Sequence, residues 1–166
     1  MSYPVAAGQG LYNTSTTKEH ELGAIHSFKN SDGTMTLARY ASNGAGATLA
    51  AGQVVAWEGE EGVIGGAAAT NTPPQLIAGG LAASMATNGY AWVIFRGKQT
   101  NASASASTAS SSGDRALAWK AADLRVVAAT YASTTDGYAH VSICGLLKAS
   151  QALAATASNT IYWVWR

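Results

Sequence analysis

The run Tyr90-Ala91-Trp92-Val93-Ile94-Phe95 constrains this chain more than any other feature. Aromatic and β-branched side chains suit a pleated, half-buried surface and lose rotamer freedom in a helix. Asn88-Gly89 stands just before the run and Arg96-Gly97 just after it. That pattern predicts a turn, a short strand and a stop, and the same cadence recurs along most of the chain.

Residues 22–28 and 34–40 flank Asn30-Ser31-Asp32-Gly33. In the second run Met35, Leu37 and Arg39 alternate with Thr34, Thr36 and Ala38, which is strand periodicity beside a glycine turn and predicts a hairpin. Residues 53–57 and Val63-Ile64 predict two more strands around an acidic turn at 58–62, the second ended by Gly65-Gly66. Thr72-Pro73-Pro74 is a hard break, because proline removes a ladder donor. Asp136-Gly137, between residues 124–131 and 138–147, predicts a second hairpin, and residues 161–166 read as a closing strand. Alanine by propensity favours helix. Here it is interleaved with Gly, Ser, Thr and Asn, which oppose helix, so the best helical candidate, 150–157, is short. The expected fold class is all-β, a small β-barrel or β-sandwich module with an extended N-terminal arm.

The length, 166 residues, suits one domain with an arm. Residues 1–20 form the expected arm, with Pro4, Gly8, Gly10, a polar run at 13–18 and no sustained period. It reads either as a frayed terminus or as a segment that orders on a neighbouring subunit. Residues 21–166 form the expected β-rich domain. The Ala/Ser segment at 101–113 reads as a flexible loop, with an alternating Ala/Ser strand as the other reading.

Charged residues make up only 11% of the chain and hydrophobic residues 48%. About 25% charged is usual for soluble domains, so like-charge repulsion does little to keep copies apart. A net charge of +1 supplies no field for nucleic acid or an anionic membrane, and neither is an expected partner. The single cysteine, Cys144, excludes an internal disulfide and a cysteine-based zinc cluster. No apolar run reaches the length of a membrane span and no signal peptide is visible, so folding in a cytoplasm is expected.

The inventory for chemistry is thin. There is no Gly-x-Ser-x-Gly elbow and no Walker-type loop, and the glycines at 44–52 lack dinucleotide spacing. His20 and His26 lie near Glu19 and Glu21, but the spacing fits no zinc motif. His140 reads as a strand residue, and Asp32 and Asp136 read as turn residues. Glu58, Glu60 and Glu61 read as a solvated turn rather than a paired-acid cleft. No catalytic residue, cofactor or metal is expected. Trp57 and Trp92 read as core. In the closing strand, period two sends Trp163 and Trp165 one way and Tyr162 and Val164 the other. Both faces are apolar, so the strand is either sandwiched in the core or meets a partner. The candidate intersubunit contacts are Tyr3, Pro4, Leu11 and Tyr12 in the arm, and Tyr162, Trp163 and Trp165 in the closing strand.

Three stretches carry a family resemblance: Thr48-Leu49-Ala50-Ala51-Gly52-Gln53-Val54-Val55; Leu76-Ile77-Ala78-Gly79-Gly80-Leu81-Ala82-Ala83 with the later run from Gly89 to Gly97; and Ser112-Gly113-Asp114-Arg115-Ala116-Leu117. Over roughly residues 44–150 the chain resembles the head decoration (cement) proteins and related minor virion proteins of tailed bacteriophages. The Ser/Ala run and the aromatic terminus depart from that pattern. The resemblance implies a β-barrel-like module, many copies on the capsid exterior, frequent homotrimers and no enzymatic role. On that basis the expected partners are the major capsid protein and further copies of this chain, on the outside of a phage head assembled in the host cytoplasm. Residues 1–18 are then expected to serve capsid binding and to be dispensable for folding. A tail, baseplate or fibre component is the alternative. A carbohydrate-binding β-domain using Trp163 or Trp165 is the other.

Overall fold

A computed structural model describes residues 10–67, 76–102, 115–120, 125–128, 143–147 and 159–164. Among these residues there are strands and turns and no α-helix. Strands β1 (Ile25–Lys29) and β2 (Met35–Asn43) form the first expected hairpin, in register from Ile25 opposite Arg39 to Lys29 opposite Met35. Its turn follows from Asp32, whose Oδ1 accepts from the Thr34 amide at 3.0 Å and the Thr34 hydroxyl at 2.6 Å. Strands β3 (Val54–Glu58) and β4 (Glu60–Ala67) turn at Gly59. The acidic turn expected at 58–62 is thus mostly strand, and β4 runs through Gly65-Gly66 instead of ending there.

Strand β5 (Ile77–Leu81) precedes β6 (Tyr90–Ala102), with the expected turn at Asn88-Gly89 between them. Five strands close on themselves: β2 pairs with β4 in parallel, and β4–β3, β3–β5, β5–β6 and β6–β2 pair antiparallel. The fold is therefore a barrel and not a sandwich. Closure gives each ring strand a partner on both sides, which removes the exposed edges of an open sheet.

β6 does not stop at Arg96-Gly97. It runs thirteen residues and takes Asn101 and Ala102 from the start of the expected loop. A register shift carries it past the stop, because Leu37 lies opposite Arg96 while Ala38 lies opposite Ile94, leaving Phe95 as the extra residue of a bulge. Gly97 follows at φ +96°, and a Cβ there would lie 2.5 Å from the Met35 carbonyl oxygen. The far half of β6 carries β10 (Asn159–Val164), with Trp163 opposite Gly97 and Tyr162 opposite Lys98.

The sheet continues from β10 to β9 (Ile143–Leu147), then β7 (Arg115–Lys120), then β8 (Arg125–Ala128). This corrects the second expected hairpin. Among the described residues β8 and β9 do not pair with each other, because β7 lies between them and uses both its edges. The short connection from β7 to β8 makes that pairing the local one. Asp136-Gly137, His140, the rest of the Ala/Ser segment and the helical candidate at 150–157 lie outside the described residues.

Two apolar layers divide the strands, by parity on β2, β3 and β6, while on β5 Ala78 and Leu81 share one layer across Gly79. Ala41, Val55, Ile64, Ala78, Leu81, Ala91 and Val93 come from all five ring strands and fill the barrel. Leu49 and Met85 close one end through a pair of backbone bonds of 2.9 Å each. Alternate positions point outward. Ala38 and Tyr40 on β2, and Trp92 and Ile94 on β6, form an outer layer with Phe28, Leu11, Ile161 and Trp163. Burying a side chain the size of Leu, Ile or Phe contributes about 1.5–3 kcal/mol. The outer layer therefore ties β1, β10 and the N-terminal segment firmly to the barrel.

Candidate interaction surfaces

The described half of the expected arm lies on this chain's own barrel. Leu11 is only 6% exposed, inside the outer core layer. The Ser15 amide donates to the Tyr90 carbonyl at 3.1 Å, and the Tyr90 amide donates back at 2.8 Å. The Glu19 amide donates to the Tyr40 hydroxyl at 3.2 Å. Leu11 is therefore a core residue here and not a free intersubunit anchor. Tyr12 stays exposed, with its hydroxyl 3.2 Å from the Thr100 hydroxyl. Tyr3 and Pro4 lie outside the described residues.

The closing strand belongs to the same core. Trp163 is 1% exposed and its Nε1 donates to Gln99 Oε1 at 2.6 Å. Gln99 Nε2 donates to the Leu81 carbonyl and to Asn101 Oδ1, at 3.0 Å each. Asn101 Nδ2 completes the network by donating to the Ala82 carbonyl at 2.7 Å. Gly80 makes room for the indole, since a Cβ there would sit 2.6 Å from Trp163 Cζ2. The Trp163 ring is thus covered by this chain's own core, where the sequence left it open to a partner or a sugar. Tyr162, on the other face of β10, is half-buried. Trp165 lies outside the described residues. Gln99 gave no signal in the sequence, since it follows the apparent stop at Gly97.

An amphipathic surface surrounds the far half of β6. Lys98 Nζ meets Asp32 Oδ2 at 2.6 Å across the first hairpin turn. The hydrogen bond from Lys98, then those from Thr34, hold the Asp32 carboxyl well below the usual carboxylate range. Asp32 in turn raises the Lys98 ammonium above its ordinary value. Tyr162 lies opposite Lys98 on β10, Tyr12 stands over Thr100, and the Met35 side chain is 46% exposed at the start of β2. This surface mixes apolar side chains with a screened ion pair and offers no concentrated charge.

At one end of the barrel the Arg39 guanidinium lies 5.7 Å from the Trp57 ring and 5.4 Å from the Phe95 ring. β2 and β3 are not neighbours in the ring, so this contact spans the barrel mouth and braces it. On the outer wall His20, His26, Phe28, Tyr40 and Trp92 form one aromatic cluster, with ring centroids 5.0–5.1 Å apart along its contacts. Among the described residues no group of three or more His, Cys, Asp or Glu is placed to hold a metal ion.

No protein-family model matches the chain, and no curated protein or solved structure matches it.

Proposed function

We propose that this chain is a virion structural protein, a decoration or cement protein that binds the outside of a phage head and bridges major capsid subunits. The observation that carries the reading is a closed barrel extended, among the described residues, into a ten-stranded order that ends in β1 and β8. A closed core gives rigidity. An edge strand gives a place where a neighbouring chain adds main-chain hydrogen bonds without special side chains. The charge content of 11% leaves little repulsion between copies packed on a lattice. Many weak contacts repeated on that lattice gain effective concentration. A homotrimer on the capsid exterior belongs to the same proposal and rests on the resemblance of residues 44–150.

The position of Leu11 changes how this is tested. Removing residues 1–18 strips a core side chain and the Ser15–Tyr90 bridge, so lost capsid binding in that variant reports folding as much as contact. The direct test is immunogold electron microscopy of phage particles, using antibody to the recombinant chain. Gold spread over the heads is the expected result. Gold confined to tails or to one vertex points to a tail or baseplate component, and unlabelled particles overturn a virion role.

A further inference from the structure

His20 and His26 join two parts of the chain that are otherwise held mainly by backbone bonds and Leu11. His20 stands in the docked N-terminal segment and His26 stands on β1. Their rings meet edge to face at 5.0 Å, and each also lies 5.1 Å from the Trp92 ring. His26 Nδ1 and Trp92 Nε1 are buried with no hydrogen-bond partner among the described residues. The groups around the pair are Phe28 on β1, Tyr40 on β2, Tyr90 and Trp92 on β6, and Lys18, Glu19 and Glu21 in the segment itself. Lys18 and Glu21 bond each other at 2.8 Å, and neither imidazole is paired with a carboxylate among the described residues.

A proton added to His26 therefore meets a second imidazole and aromatic rings, with no carboxylate paired to it among the described residues. Undocking moves the His26 imidazole into water, where the charge is solvated. We propose that His26, packed against His20 and Trp92, is an acid-sensitive latch, which holds residues 10–21 on the β1–β2–β6 wall when neutral and releases them when protonated. Release uncovers the Tyr40–Trp92 face while the barrel stays closed, because none of the ring pairings runs through the segment. Gly23, at φ +81° and bonded to the Tyr40 carbonyl at 2.9 Å, is the point where the segment leaves the sheet.

The direction of the titration agrees with this geometry. Burial, and then the neighbouring His20, push His26 below its ordinary value of 6.5. The docked form thus binds fewer protons than the released form. Docking is at full strength above the ordinary value and weakens as pH falls through it.

The test is amide hydrogen exchange on the full chain at about pH 7.5 and about pH 5, corrected for intrinsic rates. Protection in residues 10–21 is expected to fall about tenfold more than protection in β3 and β5. His20→Phe with His26→Phe is expected to abolish that difference. If the double variant does not fold, His26→Gln removes the buried titrating group and gives the same readout. Parallel loss across segment and barrel overturns the latch, as does an unchanged acid response in the variant.

Discussion

Trp163 donates its indole proton to Gln99 Oε1 at 2.6 Å, with both side chains almost fully buried. That one bond ties β10 to the far half of β6 and places an aromatic side chain, taken from its sequence as a possible outer contact, in the core. The Gln99→Leu variant keeps side-chain volume but orphans the indole proton and Asn101 Oδ1, while the Leu81 carbonyl keeps the Gly52 amide at 2.8 Å. We expect a loss of about 2–4 kcal/mol, read as a lowered urea midpoint at unchanged slope.

Gly97 and Gly33 both have positive φ but differ in surroundings. An added Cβ at Gly97 meets the Met35 carbonyl and the Thr36 backbone, while at Gly33 nothing lies within 4 Å. Gly33→Ala is expected to cost about 1–2 kcal/mol, from backbone strain alone. Gly97→Ala is expected to cost at least twice that, about 3–4 kcal/mol, because β2 and β6 must also move apart. Thermal denaturation of the two variants side by side checks the contrast, and equal losses would remove the close approach from the account.

Leu11 is where the N-terminal segment is fastened. Leu11→Ala is expected to destabilise the protein by about 2–4 kcal/mol, from lost transfer energy and the cavity left behind. Tyr12→Ala, at an exposed site beside it, is expected to change stability by less than about 1 kcal/mol. Chemical denaturation distinguishes this from an arm that docks only on a neighbour, for which both variants would be silent.

The Asp32–Lys98 pair sets a different pH dependence from that of the histidines. The Asp32 carboxyl is depressed in the folded state, so its contribution is present above the ordinary value of 3.8 and is lost as pH falls through the folded value. Asp32→Asn is expected to lower stability modestly in the neutral region, to flatten the acid limb below the ordinary value, and to converge with wild type as pH falls through the folded value. The pair is partly exposed, so added salt should shrink the difference between wild type and variant. Urea midpoints across pH and ionic strength check both.

The candidate site was less legible than the fold. Tyr12 is exposed as a contact residue must be, but Leu11 and Trp163 are taken up by the chain's own outer layer. Period two correctly separated Trp163 from Tyr162. It carries no information on which face meets the core, because that depends on what the opposite strand presents. Lys98 and Gln99 lay beyond an apparent stop at Arg96-Gly97, and a bulge is invisible until the partner's register is known.

Local chemistry settled what the sequence by itself determined. The alternation in residues 34–40, the Asp32-Gly33 and Asn88-Gly89 turns and the Tyr90–Phe95 run specified strands, a hairpin and an all-β class, because each depends on neighbours a few residues apart. Only the tertiary structure decided that five strands close into a barrel, that β7 separates β8 from β9, and that residues 10–20 and β10 complete the outer wall. Those outcomes depend on pairings between distant segments. Every strand offers two edges and two faces, and the choice among them is made by whichever long-range partners bury the most apolar surface without leaving backbone groups unpaired.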